Sequence, residues 1–274
     1  MSKVEPELGQ VQETLLTPLY GRARDAETRH PVLGDRRAAE LVGSIDYDFA
    51  RFKGPSLPGS VLRTAIFDGW VRQFLVEHPA GTVIEIGAGL NTRFDRVDNG
   101  HVTWFDLDLP DSIALRRRFF GEHDRCTMVA GSVLETDWFD AVAASPGPYF
   151  FVSEAVLVYL TAEQVRTVVT QLGARFDNSL IAFDTGGAAM MRNQHRNGVM
   201  KPISARMQWI CDDPHQLEPW GLELLESRTF ARPQPEVGRT WPARYRYGMP
   251  LMARLVPPIV NAYKMNLFKL DPRG

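Results

Sequence analysis

Between residues 82 and 185 the chain alternates short apolar runs with longer polar stretches, and this alternation constrains the fold more than any other feature. TVIEIG (82–87), HVTWFDLDLP (101–110), CTMVAG (126–131), PYFFVSEA (148–155) and SLIAFDT (179–185) read as five strands. DSIALRRRFFGEH (111–123), opening on Asp111 and Ser112, and TAEQVRTVVTQLGARF (161–176), capped by Thr161, read as helices. Strands joined by helices of this length pair in parallel. The pattern therefore predicts a doubly wound, mostly parallel α/β sheet.

The flanks read differently. Residues 1–60 are polar and turn-rich, and Pro18 with Gly21 predicts an interrupted helix in TLLTPLYGRARDAE. RRAAELVGSI (36–45) is a short helix ending near Gly43, and KGPSLPG (53–59) is a loop. Ser60 then caps a helix that carries Val61, Leu62, Ala65, Ile66, Trp70 and Phe74 at helical spacing and stops at Pro79 to Gly81. Beyond strand five, residues 186–210 read as helical pieces rich in Met and Arg. GLELLESRTF (221–230) and VNAYKMNLFKL (260–270) read as late strands.

Composition narrows the function classes. Thirty-one Lys and Arg against 33 Asp and Glu, in 274 residues, leave no basic excess for nucleic acid. Cys126 and Cys211 are too few for a structural zinc site and suit a reducing cytosol. MSKVEPELGQ lacks the apolar core of a signal peptide, and YFFVSEAVLVYL is too short and too interrupted to span a bilayer. A cytoplasmic protein without a membrane or nucleic-acid partner is expected, and the sequence does not set its oligomeric state.

IEIGAGLNTR (84–93) is the most informative segment. Gly87 and Gly89 fall where a buried strand turns, and glycine lets backbone approach a ligand closely. The dinucleotide fingerprint needs a third glycine where Thr92 stands, and Glu85 would repel a pyrophosphate. A nicotinamide-dependent oxidoreductase is thereby disfavoured. A carboxylate here suits a cationic or hydroxyl-bearing ligand, and S-adenosylmethionine has a sulfonium, an ammonium and no phosphate. At the end of strand two, Asp106 and Asp108 are equal candidates to grip ribose hydroxyls.

IEIGAGLNTRFDRVDNG, WFDLDLP and SEAVLVYL, with TLLTPLYGRARDAE, IDYDF, VLRTAIFD and RMQWICDDP, resemble the leucine carboxyl methyltransferase superfamily, in its branch of tetracenomycin-type polyketide O-methyltransferases. The resemblance spans almost the whole chain. It implies a seven-stranded class I methyltransferase fold, Rossmann-like, with S-adenosylmethionine as cofactor. It also implies a helical N-terminal cap (1–80) on a methyltransferase core (81–274), within which 186–220 forms an insertion over the acceptor pocket. Carried over residue by residue, Arg63 pairs with the donor's carboxylate, Gly87 and Gly89 pass its methionine portion, Ser132 and Val133 flank adenine, and Glu154 lies near the amino group. Two departures stand out: Asn91 where the branch usually has Asp, and Glu85 where many relatives have Asn.

The acceptor is less legible. A carboxylic acid is ionised at neutral pH, whereas deprotonating a phenol there costs roughly 4 kcal/mol, so only the phenol calls for a base. His195 is the candidate base for a hydroxyl acceptor. The bias of 186–210 towards Arg192, His195, Arg196, Lys201 and Arg206, without an acid, favours an anionic acceptor. Tyr20, Arg22, Tyr159, Arg192, Arg206 and Trp209 are candidate acceptor contacts. A small aromatic or polyketide-like metabolite, methylated on a carboxylate or hydroxyl, is the expected partner. A donor-binding relative that no longer transfers methyl is the other reading.

Overall fold

A computed structural model describes residues 3–9, 11–52, 57–194 and 205–271. Seven strands form one sheet: β1 (Thr82–Ile86), β2 (Thr103–Asp108), β3 (Cys126–Ala130), β4 (Tyr149–Ser153), β5 (Leu180–Gly186), β6 (Leu222–Arg228) and β7 (Tyr263–Leu270). Their order is β3-β2-β1-β4-β5-β7-β6. The first five pair in parallel, and β7 runs antiparallel to both of its neighbours. The chain winds from β1 outward to β3, then returns to β4 on the other side of β1. Ligands of open α/β sheets bind at such a reversal, outside the carboxyl ends of the strands. Register aligns those ends: Ile86 lies opposite Leu107 of β2 and Ser153 of β4.

The strands bury both faces, and their period of two sorts side chains between two cores. Ile84, Ile86, Phe105, Phe151, Ile181 and Phe183 pack with α6 (Phe139–Ala143) and α7 (Ala162–Arg175). Val83, Trp104, Phe150, Val152 and Ala182 pack against α3 (Leu57–Glu77) and Phe94 of α4 (Arg93–Val97). Glu85 alternates with Ile84 and Ile86 and so shares the α3 face. A third cluster joins α1 (Leu16–Ala26) and α2 (Arg36–Ser44) through Leu16, Leu19, Ala38 and Leu41, and includes Leu90 of the glycine loop.

Three local expectations need correction. Helix α1 is continuous. Pro18 sits in its first turn, where backbone N–H groups have no intrahelical partner to lose. Gly21 permits close helix approach, since a Cβ there would fall 2.5 Å from Ser60 Oγ. Helix α3 begins at Leu57, so Ser60 lies inside it and donates to the Leu57 carbonyl (2.7 Å) rather than capping. Helix α5 (Pro110–Arg116) is shorter than expected and gives way to turns. Thr161 does cap α7, in a reciprocal capping box with Gln164.

After β5 come α8 (Ala188–Asn193) and an irregular stretch that includes 205–211. Between β6 and β7 lie four short helices, α9 (Pro235–Thr240), α10 (Ala243–Arg246), α11 (Gly248–Leu255) and α12 (Pro257–Val260). Among the described residues no helix is long and apolar enough to cross a membrane.

Candidate active site

Two left-handed glycines make the turn after β1: Gly87 has φ of 71° and Gly89 φ of 48°. A side chain at Gly87 would put its Cβ 2.2 Å from Val156 Cγ2, so the turn after β1 and the turn after β4 touch through that position. Backbone N–H groups of Gly87 and Gly89 donate to the Leu107 carbonyl (2.7 Å) and to Asp108 Oδ2 (2.7 Å). The loop is thus latched onto the end of β2.

The two acids of β2 separate here. Asp108 lines the cavity, accepts from the N–H groups of Gly89 and Leu109, and is pushed upward in pKa by burial against those bonds. Asp106 is outside the cavity lining. It accepts from Trp104 Nε1 (2.9 Å) and from Arg116 (2.9 and 2.7 Å), which also donates to the Gly89 and Asn91 carbonyls. Asp106 therefore fixes the arginine that holds the loop from behind.

Under the loop lies a buried ionic frame. Arg93, with 0% exposure, reaches Asp68 (2.8 Å), Glu85 and Glu154 with its three nitrogens. Arg96 extends the frame to Asp68 (2.8 Å) and Asp35 (3.4 Å), and Arg22 joins Asp35 (3.0 Å) to the Leu90 carbonyl (2.9 Å). Arg63 donates through Nε to Glu154 Oε1 (2.8 Å) and through Nη1 to the Tyr263 hydroxyl (3.1 Å), which in turn donates to Asp184. Asp184 also receives the Ala155 N–H (2.9 Å) and so sets the turn after β4.

Unpaired, such groups would cost several kcal/mol each to bury. Burial alone would raise Glu154, yet Arg63 and Arg93 hold it below the usual carboxylate range. Burial prevails elsewhere, pushing Glu85 up to about 7 against Arg93, and Asp184 up to about 6 against Arg63 and Tyr263. The frame holds seven carboxyl groups (Asp35, Asp68, Glu85, Asp106, Asp108, Glu154, Asp184) against five guanidinium groups (Arg22, Arg63, Arg93, Arg96, Arg116).

The two positions that depart from the resembled branch, Glu85 and Asn91, meet in the structure. Asn91 Nδ2 donates to Glu85 Oε1 (2.7 Å), while Asn91 Oδ1 accepts from Arg96 (3.1 Å).

Above the frame opens a cavity of about 830 Å³. This is toward the upper end for a small-molecule site. Of the residues singled out from sequence, Arg22, Arg63, Glu85, Gly87, Gly89, Asp108, Ser132, Val133, Glu154 and Tyr159 all line it. Others do not. Tyr20 stacks on Phe49 in the α1–α2 core, and Trp209 is buried against Phe183 and Trp220, because the packed interior offers large rings more contact than the cavity wall. Arg192 is exposed, and Arg206 donates to the Ala205 carbonyl. His195 lies outside the described residues, so the expected cationic wall from 186–210 has no member among the described lining residues. That segment contributes Met190 and Met207 instead.

Sequence reading missed much of the wall, including Thr14, Leu15 and Thr17 near the start of α1, Phe230, Tyr245 and Met249 between β6 and β7, and Tyr263 at the start of β7. It also missed Asp68, Arg96 and Asp184. For Asp184 a signal existed: like Glu85, it is an acid inside an apolar strand.

Comparison with known proteins agrees with this geometry. Residues 16–173 match the leucine carboxyl methyltransferase family. The chain is 32% identical over 211 residues to the tetracenomycin polyketide synthesis O-methyltransferase TcmP of Streptomyces glaucescens, covering 76% of this chain and 78% of that protein. It is 28% identical over 231 residues to the S-adenosyl-L-methionine-dependent methyltransferase dpfgK of Gibberella zeae, covering 76% and 77%. The crystal structure of a DUF574-family protein from Streptomyces avermitilis shares the fold, with a TM-score of 0.59 at 14% identity over 93% of this chain and 96% of that one. Strand order, latched glycine turn and relatives converge: the chain belongs to the leucine carboxyl methyltransferase family, an enzyme of the class I methyltransferase fold that uses S-adenosylmethionine as its methyl donor.

Proposed function

We propose that the chain methylates an oxygen of a small aromatic or polyketide-like metabolite, with a carboxylate as the preferred acceptor. The observation that carries this reading is the division of one cavity into two halves. The half beside the glycine loop is polar and acidic. The far half presents Tyr159, Met190, Met207, Phe230, Tyr245 and Met249, an adaptable surface suited to a flat apolar molecule.

Bound S-adenosylmethionine supplies an electrophilic methyl on a sulfonium. The residues of the polar half fit that molecule. Asp108, free of any cationic partner among the described residues, would accept ribose hydroxyls. Arg63 has Nε and Nη1 engaged and retains Nη2 for a carboxylate. Glu154, held ionised, would face the amino group. Gly87 and Gly89 would leave room for the methionine portion, with Ser132 and Val133 flanking the adenine. Residues 1–80 would serve as the cap, since Thr14, Leu15 and Thr17 help close the cavity, and 186–220 would form part of the acceptor wall.

The acceptor preference follows from the wall. No histidine or lysine is among its described residues, and its carboxyl groups are engaged: Glu154 with Arg63 and Arg93, Glu85 with Arg93 and Asn91, Asp108 with the N–H groups of Gly89 and Leu109. A carboxylate needs no base, so orientation and exclusion of water suffice. The hydroxyl alternative would draw on His195.

Transfer of labelled methyl from the donor to a panel of aromatic acids and phenols tests this. Base-labile label is expected, as from an ester. Label that survives alkali would replace the carboxylate by a hydroxyl, and no transfer to either class would overturn the acceptor reading.

A further inference from the structure

The segment between β6 and β7 carries an outer surface that the cavity does not use. Tyr245 and Met249 face the cavity, but Tyr247, Leu251, Met252 and Leu255 are 66, 56, 46 and 68% exposed, and no residue of α11 is buried. Four large apolar side chains on one short stretch are unusual for a surface that meets only water.

The charge of the same stretch is equally uneven. From α9 to α11 (235–255) the chain holds Arg239, Arg244, Arg246 and Arg254 against a single acid, Glu236, in a chain of net charge -2. All four are exposed, and none is ion-paired among the described residues. Beside α11 a crevice of about 310 Å³ is lined by Arg232, Arg239 and Arg246 with Trp241, Tyr245 and Pro250. Three arginines thus border one recess.

We infer that the α9–α11 segment docks the protein peripherally on an anionic lipid surface, with phosphate headgroups in the Arg232–Arg239–Arg246 crevice and Leu251, Met252 and Leu255 inserted among the acyl chains. Apolar side chains flanked by unpaired arginines and a tyrosine form the pattern of an interfacial anchor. A second copy of the chain is the poorer occupant, because an isologous contact here would set arginines against arginines. Nothing in this inference depends on the acceptor's identity.

Sedimentation with vesicles tests it. The full-length protein should pellet with phosphatidylcholine vesicles containing roughly a quarter phosphatidylglycerol, should not pellet with phosphatidylcholine alone, and should be released by high salt. Arg246→Ser and Arg254→Ser should each lower the partition coefficient roughly fivefold, about 1 kcal/mol per arginine near a charged surface. The double variant Leu251→Asp/Leu255→Asp should abolish pelleting while keeping the affinity for S-adenosylmethionine, which shows that the fold is intact. Failure of the wild type to pellet, or equal pelleting by all variants, overturns the proposal. So does a concentration-dependent dimer that Leu251→Asp dissociates without vesicles, or capture by an acidic protein with no affinity for lipid.

Discussion

Beneath the glycine loop, Arg22, Arg63, Arg93, Arg96 and Arg116 each lie against at least one carboxylate, whereas from α9 to α11, Arg239, Arg244, Arg246 and Arg254 stand in solvent without one among the described residues. The same side chain thus serves two purposes. Under the loop its planar fork fixes distances: Arg93 alone ties α3, α4, β1 and the turn after β4 into one unit. On the outer segment it sets only a field, and the geometry stays adaptable. The polar half of the cavity is built by the first kind, and the methionine-lined half borders the second.

Breaking the frame should have the largest effect. Arg93→Met leaves Asp68, Glu85 and Glu154 without their shared cation and should cost about 3–5 kcal/mol in urea unfolding, whereas Arg254→Ser should stay within about 0.5 kcal/mol. Similar losses in both would erase the contrast.

The next effect is one of pH. Glu85 is raised from 4.5 to about 7 by burial, so the folded state binds a proton that the unfolded state has already released. Its contribution to stability is therefore complete below about pH 4.5 and falls by about 3 kcal/mol as pH rises to about 7. Glu85→Gln, which mimics the protonated acid and can still accept from Asn91, should flatten that decline in urea midpoints measured across the window. An unchanged slope would assign the decline to Asp184, which is raised to about 6.

Asp108→Ala should weaken S-adenosylmethionine binding by about 1.5–3 kcal/mol in calorimetry, the range of a hydrogen bond to a charged group. Asp106→Ala should chiefly lower stability, by freeing Arg116. The reverse outcome would exchange their roles. The smallest change belongs to the adaptable half: Met249→Ala should raise the acceptor KM a few-fold, about 1 kcal/mol, with donor affinity unchanged. A loss of donor affinity would mean that the two halves are not separable.

Much of the polar half was legible because it is local. TVIEIGAG and WFDLD place a turn and two acids at neighbouring strand ends through period-two alternation alone, and Glu85, Gly87, Gly89 and Asp108 all line the cavity. What alternation cannot choose is which acid faces the cavity; that depended on Arg116 claiming Asp106 from the following helix. The apolar wall of the cavity was far less legible. Phe230, Tyr245, Met249 and Tyr263 reach the cavity only through the reversal of β7, and no spacing in the sequence reports a contact across some 200 positions such as Arg63 to Tyr263. Pro18 and Gly21 misled for a related reason: a proline in a first turn and a glycine at a helix crossing are set by neighbours, α3 above all.

The placement of β7 between β5 and β6 has a bearing on how the enzyme is made. While the ribosome is still reading through the messenger, β1 to β4 already have all their hydrogen-bonding partners, but β5 lacks one of its two and β6 has none until residues 263–270 emerge. The same segment delivers the Tyr263 hydroxyl between Arg63 and Asp184. A nascent chain stalled before that point carries an unpaired strand and a half-built pocket, so competence for methyl transfer cannot precede the synthesis of β7.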